Sequence, residues 1–204
     1  MEFSTNVKLD KIVSTATTGL LLTCLSASSL FAEEPAAVTV TFAQPALLTS
    51  CGQAADVLML KGLCGRAGVE AKYRPFASAD SLSDVKSIIL VAGASSKGLG
   101  AAKVNAGGEE TRVKKLLAAA KKAKLPVVMF HVGNEARRGA LSDPFNKIAA
   151  EGADIIVVAK GGDDDGFFKK IAAARKVRFI PIENTAGSMI VLNELYPKTK
   201  PTGK

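Results

Sequence analysis

The sequence predicts a single doubly wound α/β domain, flavodoxin-like or Rossmann-like, whose mostly parallel sheet of five or six strands carries helices on both faces. Apolar runs of strand length alternate with amphipathic segments of helix length. Of the 204 residues, 48% are hydrophobic, yet Trp is absent and aromatics make up only 5%, so the core is aliphatic. Aliphatic strands between Ala-rich helices are typical of a buried parallel sheet. Because parallel crossovers are right-handed, we expect the strand order 2-1-3-4-5-6 or a close variant.

The first part of the domain is predicted to contain three strands and one helix. The helix places Val57, Leu60 and Leu63 on one apolar face. The third strand, Ser-Ile-Ile-Leu-Val-Ala, is nearly continuous in apolar residues, which indicates burial on both faces of the sheet. The predicted elements are a strand over 38–42, a helix over 53–67, a strand over 69–74 and a strand over 87–92.

The second part continues the alternation after a loop over 93–108 that is rich in Gly, Ser and Lys. Asp143 followed by Pro144 is a strong helix start, because the carboxylate caps and the proline suits the first turn. A run of three aspartates opens a later helix, and Asn184 or Thr185 caps the last one. The predicted elements are helices over 109–124, 143–152, 163–176 and 185–196, and strands over 127–132, 154–159 and 178–182.

The N-terminal segment is typical of a secretory signal peptide. Lys8 and Lys11 precede an apolar run that is rich in Ser and Thr, and the small Ala32 is followed by a polar break. An uncleaved membrane anchor is the alternative; after cleavage we expect no stable membrane span. We therefore expect an exported protein, periplasmic or extracellular, divided into a signal peptide (1–32), an α/β domain (33–196) and a flexible basic tail (197–204).

The cysteines and the single histidine limit the chemistry. Cys51 and Cys64 are predicted to be free, because thirteen residues of helix would separate them by roughly 20 Å, beyond the 7 Å or so that a disulfide spans. The chain has no Cys-x-x-Cys and no His-Glu-x-x-His motif. With His131 as its only histidine, we expect no zinc site. The three aspartates over 163–165 could bind a hard cation, but they also suit a helix N-terminus, which is the favoured interpretation, so we expect no metal.

The net charge of +8 permits binding to nucleic acid, to anionic envelope polymers or to membrane surfaces. No stretch interleaves aromatic residues with Arg and Lys, so we do not expect nucleic acid as a partner. Lys-rich helix faces that are merely solvated are the plainer interpretation of the charge.

Several loops resemble those of a known family. These loops are 95–102, 131–143, 165–168 and 182–184, beginning Ser-Ser-Lys-Gly-Leu-Gly, His-Val-Gly-Asn-Glu-Ala-Arg-Arg, Asp-Gly-Phe-Phe and Ile-Glu-Asn. Together they resemble a family of small bacterial exported domains of unknown function, over about residues 49–196. The resemblance implies the fold and the export. It implies no activity, cofactor or catalytic residue.

Candidate binding residues follow from the topology, since ligands of doubly wound folds bind beyond the carboxyl ends of the strands. The loop over 93–100 superficially resembles a phosphate-binding loop but lacks a Walker pattern, so no cofactor is expected. Arg137 and Arg138 are the best candidates for holding an anion, with an ion pair to Glu135, Asp143 or Asp163 as the alternative. The candidate binding residues are Ser50, Gln53, Ser95, Ser96, Lys97, His131, Glu135, Arg137, Arg138 and Asn184.

Three hypotheses for function remain open at this point. The first is a module that binds a small anionic ligand at Arg137, Arg138 and Lys97. The second is a hydrolase or transferase acting on an anionic substrate, with His131 or Glu135 as the base. The third is a non-catalytic accessory protein of the cell envelope. A deep pocket favours the first two hypotheses, and a flat crevice favours the third.

Overall fold

A computed structural model describes residues 40–198 and contains one six-stranded, all-parallel sheet. The strand order is β2-β1-β3-β4-β5-β6, as predicted. Both edge strands are poor templates for further pairing, because β2 is short and β6 contains Pro181. The strands are β1 (Ala46–Cys51), β2 (Ala71–Tyr73), β3 (Ser87–Ala92), β4 (Val127–His131), β5 (Ile155–Ala159) and β6 (Arg178–Ile182). The α-helices are α1 (Asp56–Ala67), α2 (Ser96–Ala101), α3 (Ala106–Lys122), α4 (Asp143–Gly152), α5 (Phe167–Arg175) and α6 (Ser188–Leu195).

Helices cover both faces of the sheet in two layers. On one face, Leu60 of α1 and Leu192 of α6 pack on the strands. On the other, the layer of α3, α4 and α5 packs on the strands through residues such as Leu116 and Phe145. Successive strand residues alternate between the two hydrophobic clusters, as a pleated strand requires. The direction of winding reverses between β1 and β3, which places the topological switch point at their carboxyl ends.

The predicted first strand over 38–42 is wrong. The described part of it, 40–42, is not a strand; instead Phe42 is buried with its ring 5.9 Å from that of Tyr196. The strand that pairs with both β2 and β3 is Ala46–Cys51, so Thr49 and Ser50 lie inside β1 rather than in the loop after it. Every residue of β1 is buried, and a strand in the middle of a sheet shows no alternation of apolar and polar residues that would reveal it.

Most helix starts differ from prediction. The helices α1, α5 and α6 begin at Asp56, Phe167 and Ser188 rather than at 53, 163 and 185. The predicted loop over 93–108 contains α2, whose cap is the Ser95 hydroxyl, 3.2 Å from the amide nitrogen of Gly98. The α3 helix begins at Ala106 rather than 109. Asp143 lies in the first turn of α4 and does not cap it. Asn184 does act as a cap, accepting from the Gly187 amide at 3.2 Å before a short 3-10 turn that precedes α6.

Cys51 and Cys64 are both free and buried. Cys51 belongs to the core beneath α3, α4 and α5, and Cys64 to the core beneath α1 and α6, so the sheet itself separates them. Burial raises the pKa of the Cys64 thiol to about 12, and burial raises that of Cys51 as well. Neither thiol is therefore a nucleophile in the folded domain.

The predicted signal peptide, 1–32, lies outside the described residues, as does most of the predicted tail, 197–204. Within 40–198, none of the helices combines the length and apolar character that a membrane crossing requires.

Candidate functional site

The crevice at the switch point is filled by the loops that border it. Gly52, Gln53 and Gly93 have φ values of 98°, 60° and 143°. Gln53 forms a bridge with Ala94, so the two loops pair directly across the end of the sheet. The backbone of Gly98 approaches so closely that a Cβ there would lie 1.8 Å from the carbonyl oxygen of Gln53. Backbone contacts thus occupy the place where doubly wound proteins commonly bind a ligand.

A buried ion pair supports these loops from below. Glu109 is fully buried and accepts hydrogen bonds from the Gly52 amide and from Nε2 of Gln53, each at 3.0 Å. The Arg112 guanidinium donates to both of its carboxylate oxygens, at 2.7 and 2.8 Å, and reaches the Ser50 carbonyl oxygen at 2.6 Å. The sequence favours a solvated Arg112, but its side chain is only 8% exposed. The spacing i, i+3 on a helix is the one sequence feature that could have revealed the pair.

The Arg137 side chain makes one hydrogen bond within residues 40–198 and packs on two glycines at the carboxyl edge. Its Nε donates to Oδ2 of Asp56 at 2.6 Å, and the side chains are 27% and 8% exposed. The aliphatic part of Arg137 packs on the backbone of Gly93 and Gly133, since a Cβ at either glycine would lie within 3.1 Å of it. Its two terminal nitrogens have no hydrogen-bond partner among residues 40–198. The outer edge of the guanidinium is therefore available to an anion.

Arg138, in contrast, has a structural role. It donates to Asp143 at 2.8 Å, to both carboxylate oxygens of Asp165 at 3.0 and 2.8 Å, and to the Gly162 carbonyl oxygen at 2.7 Å. Its guanidinium also lies 4.7 Å from the ring centre of Phe167. The hydrogen bond from Arg138 holds the pKa of Asp165 far below its usual range. Arg138 thus makes the ion pair with Asp143 that was the alternative interpretation, and all three of its guanidinium nitrogens have partners. Anion binding by Arg138 stays a prediction.

The run of three aspartates serves the start of α5. Asp163 accepts from the amides of Phe168 and Lys169 at 2.6 and 3.2 Å, and Asp165 is paired with Arg138. Among residues 40–198, no three Asp, Glu, His or Cys side chains are grouped so that they could hold a metal ion. The aspartates therefore match the helix N-terminus interpretation.

His131 is a buried core residue at the end of β4. Its Nε2 lies 3.2 Å from the Asn134 carbonyl oxygen, and its ring centre lies 4.8 Å from that of Phe168. Its Nδ1 is one of several buried polar atoms without a partner in the described part of the chain. Burial lowers the pKa of His131 from its ordinary value of 6.5, so folding favours the neutral ring.

The potential nucleophiles are out of reach of this histidine. Cys51 pairs with Ala92, and Ala92 lies beside His131 in the next strand, so two strand spacings, about 10 Å, separate Cys51 from His131. Ser50 points to the opposite face of the sheet from Cys51 and is fully buried. Neither residue can form a nucleophile–base pair with His131.

The pKa shift of His131 predicts a pH-dependent stability. The unfolded chain binds a proton near pH 6.5, whereas the folded chain does so only at lower pH. Stability is therefore fully present above pH 6.5 and falls as the pH drops through the window below it. We expect urea denaturation to show a fall in the free energy of unfolding between about pH 7.5 and about pH 5, and a smaller fall in His131→Gln. Because the chain has one histidine, an equal fall in the variant would contradict this assignment.

The other predicted site residues are scattered. Gln53 belongs to the Glu109 network, and Ser50 has a buried hydroxyl without a partner in the described part of the chain. Ser95 and Asn184 are caps. Ser96, Lys97 and Glu135 are exposed. A cavity of about 450 Å³ at the ends of β5 and β6 is lined by none of the ten predicted residues. Of the predicted set, only Arg137 presents an incompletely paired charge fixed at the carboxyl edge within residues 40–198.

Solved structures give only remote similarities. A GDSL-like lipase from Bacteroides thetaiotaomicron is 13% identical, with 69% of this chain and 72% of that chain covered and a TM-score of 0.34. A mutant of the esterase AlinE4 is 8% identical, with 78% and 85% covered and a TM-score of 0.28. At these identities and scores the similarity carries no information on the chemistry of this chain. Among proteins of curated function, none matches it.

A family model does match, over residues 43–196, which is nearly the whole described domain. This confirms the resemblance found in the loops to a family of unknown function, while the bacterial source and the export remain predictions. The chain belongs to the family DUF6305, a domain of unknown function.

Proposed function

We propose that the domain is a non-catalytic binding module that takes a small carboxylate or phosphate at Arg137. The observation that carries the proposal is that the Arg137 guanidinium is only partly hydrogen-bonded. Asp56 accepts from Nε alone, and both terminal nitrogens lack a partner within residues 40–198. A guanidinium edge of two nitrogens matches the two oxygens of a carboxylate or phosphate. Gly93 and Gly133 fix the aliphatic stem, so little side-chain entropy is lost when an anion binds.

The position of Arg137 also supports a ligand role. It follows β4 at the carboxyl edge of the sheet, next to the loops that fill the switch point. The nearby Asp56 lowers the local positive potential, so binding of an anion depends on the geometry of the two terminal nitrogens as well as on charge. Nothing in the arrangement of Ser50, Cys51 and His131 supports the hydrolase or transferase alternative, so we propose no catalytic role for them.

The test compares two Arg→Lys variants. Arg137→Lys keeps a positive charge beside Asp56 but removes the two terminal nitrogens that would bind an anion. Arg178→Lys makes the same change in an exposed ion pair with Glu194, at the amino end of the sheet. Inorganic phosphate and acetate are titrated by calorimetry and by thermal shift. A bidentate charge-assisted contact is worth roughly 1.5–3 kcal/mol, so Arg137→Lys should weaken binding at least about tenfold. Arg178→Lys should match the wild type.

Two outcomes would refute the proposal. One is a wild type that binds neither phosphate nor acetate, which would favour the accessory-protein hypothesis. The other is equal binding by wild type and Arg137→Lys, which would place any anion elsewhere. Melting of each variant without ligand shows whether the fold is intact.

We also propose that the mature domain works outside the cytoplasm, after removal of residues 1–32. The support is the basic, apolar and small-residue pattern at the N-terminus. Mass spectrometry of the secreted protein should find an N-terminus near Glu33; an intact N-terminus on membrane-bound protein would support an anchor instead.

A further inference from the structure

The two helical layers carry different charge. On α1 and α6, the exposed bases are Lys61 and Arg66 alone. The opposite layer, made of α3, α4 and α5 and here called the basic layer, is rich in exposed lysines. On α3 and the turn that follows it, the exposed lysines are Lys114, Lys115, Lys121, Lys122 and Lys124. Exposed lysines are thus more numerous on α3, α4 and α5 than on α1 and α6.

The α5 helix continues the basic layer. Lys169, Lys170 and Lys176 are exposed on it or directly after it. The α4 helix lies between α3 and α5, with contacts to both. Neighbouring helices pack 8–10 Å apart, so the lysines of α3 and α5 are spread over about 20 Å. That breadth suits an extended surface better than a single small anion.

Few acids neutralise these lysines. Glu109 forms an ion pair with Arg112, and Asp143 forms one with Arg138. The ion pairs that exposed lysines of the basic layer do make are Lys114 with Glu110 at 3.1 Å and Lys147 with Glu151 at 3.8 Å. The remaining lysines of α3 and α5 have no carboxylate within 4.0 Å in the described part of the chain.

The amino-end corner of the basic layer adds an apolar component. A groove of about 520 Å³ there is lined by half-buried Leu117 and Leu125, by the bases Lys121, Lys124 and Arg175, and by the acids Glu151 and Asp154. Lysine can lay its aliphatic stem along apolar surface while its ammonium group reaches outward. This combination is found where a protein lies on a membrane interface.

We propose that the basic layer docks on the surface of an anionic phospholipid bilayer. Charge complementarity and the spread of exposed lysines over α3 and α5 carry the proposal. Single-stranded nucleic acid is disfavoured, because no exposed aromatic side chain lies on α3, α4 or α5 to stack on bases. The proposal is independent of Arg137, which lies at the carboxyl edge of the sheet.

Vesicle sedimentation of the chain over 33–204 tests the proposal. The probes are vesicles of phosphatidylcholine alone and of phosphatidylcholine with phosphatidylglycerol in roughly equal parts. We expect binding to the anionic vesicles only, with release at about 0.5 M salt because of screening. A lysine near an anionic surface contributes roughly fivefold in affinity, so the double variant Lys121→Glu and Lys122→Glu should bind at least about twentyfold more weakly.

The matched control reverses two charges on the opposite layer, with Lys61→Glu and Arg66→Glu on α1. It should bind vesicles as the wild type does, and circular dichroism should show that both double variants are folded. Three results would overturn the proposal: no binding by the wild type, an equal loss in both double variants, or binding to duplex DNA without binding to vesicles.

Discussion

Replacing Glu109 with Ala should lower the free energy of unfolding by about 3–5 kcal/mol, the usual cost of removing one partner of a buried ion pair. The change leaves the Arg112 guanidinium, whose side chain is 8% exposed, without its carboxylate. It also removes the acceptor of the Gly52 amide and of the Gln53 side chain. Urea denaturation monitored by circular dichroism measures the loss, provided that the slope with denaturant is unchanged.

The adjacent glutamate supplies a matched control. Glu110 makes a surface pair with Lys114, whose side chain is 60% exposed. Glu110→Ala should change stability by no more than about 0.5 kcal/mol. Glu109→Gln, which keeps an acceptor oxygen but loses the charge, should fall between the two. If Glu109→Ala cost no more than Glu110→Ala, the buried pair would not be supporting the loops above it.

The strand order could be predicted because it depends on local patterns. Alternating strands and helices of crossover length permit few arrangements, and handedness reduces them further. The position of β1 could not be predicted, because a strand buried on both faces with Thr49 and Ser50 inside it has neither alternation nor a continuous apolar run. Residues 46–51 form a strand because they pair with β2 and β3, and this pairing is known only from the tertiary structure.

In the candidate site, too, the positions of residues could be predicted from the sequence but their roles could not. The sequence placed Arg137 and Arg138 correctly on the loop after β4. It could not distinguish their roles, because the partners Asp56 and Asp165 lie 81 and 27 residues away along the chain. The role of Glu109 was missed for the same reason, since it contacts Gly52 across 57 residues. Long-range contacts therefore decide which charge is structural and which is left available to a ligand.

The close contact between the two loops at the switch point predicts a second large effect. Gly98→Ala would place a Cβ 1.8 Å from the Gln53 carbonyl oxygen and 2.9 Å from its carbonyl carbon. Both are backbone atoms, so the clash cannot be relieved by turning a side chain. Forcing an extra methyl group into a packed site typically costs 1–3 kcal/mol, and we expect about 3 kcal/mol or more here. Thermal and urea denaturation measure the change.

Gly100 lies two residues further along the same helix, and a Cβ added there would meet no side chain or neighbouring segment within 4 Å. Substitution at Gly100 therefore separates the effect of the contact from that of helix propensity. Gly100→Ala should stabilise the protein by about 0.5–1 kcal/mol, because alanine loses less backbone entropy than glycine. Opposite signs for the two variants would mean that the loops at the switch point are in contact in solution. If Gly98→Ala were also stabilising, the crevice would be open, and the usual ligand position of a doubly wound fold would again be a candidate beside Arg137.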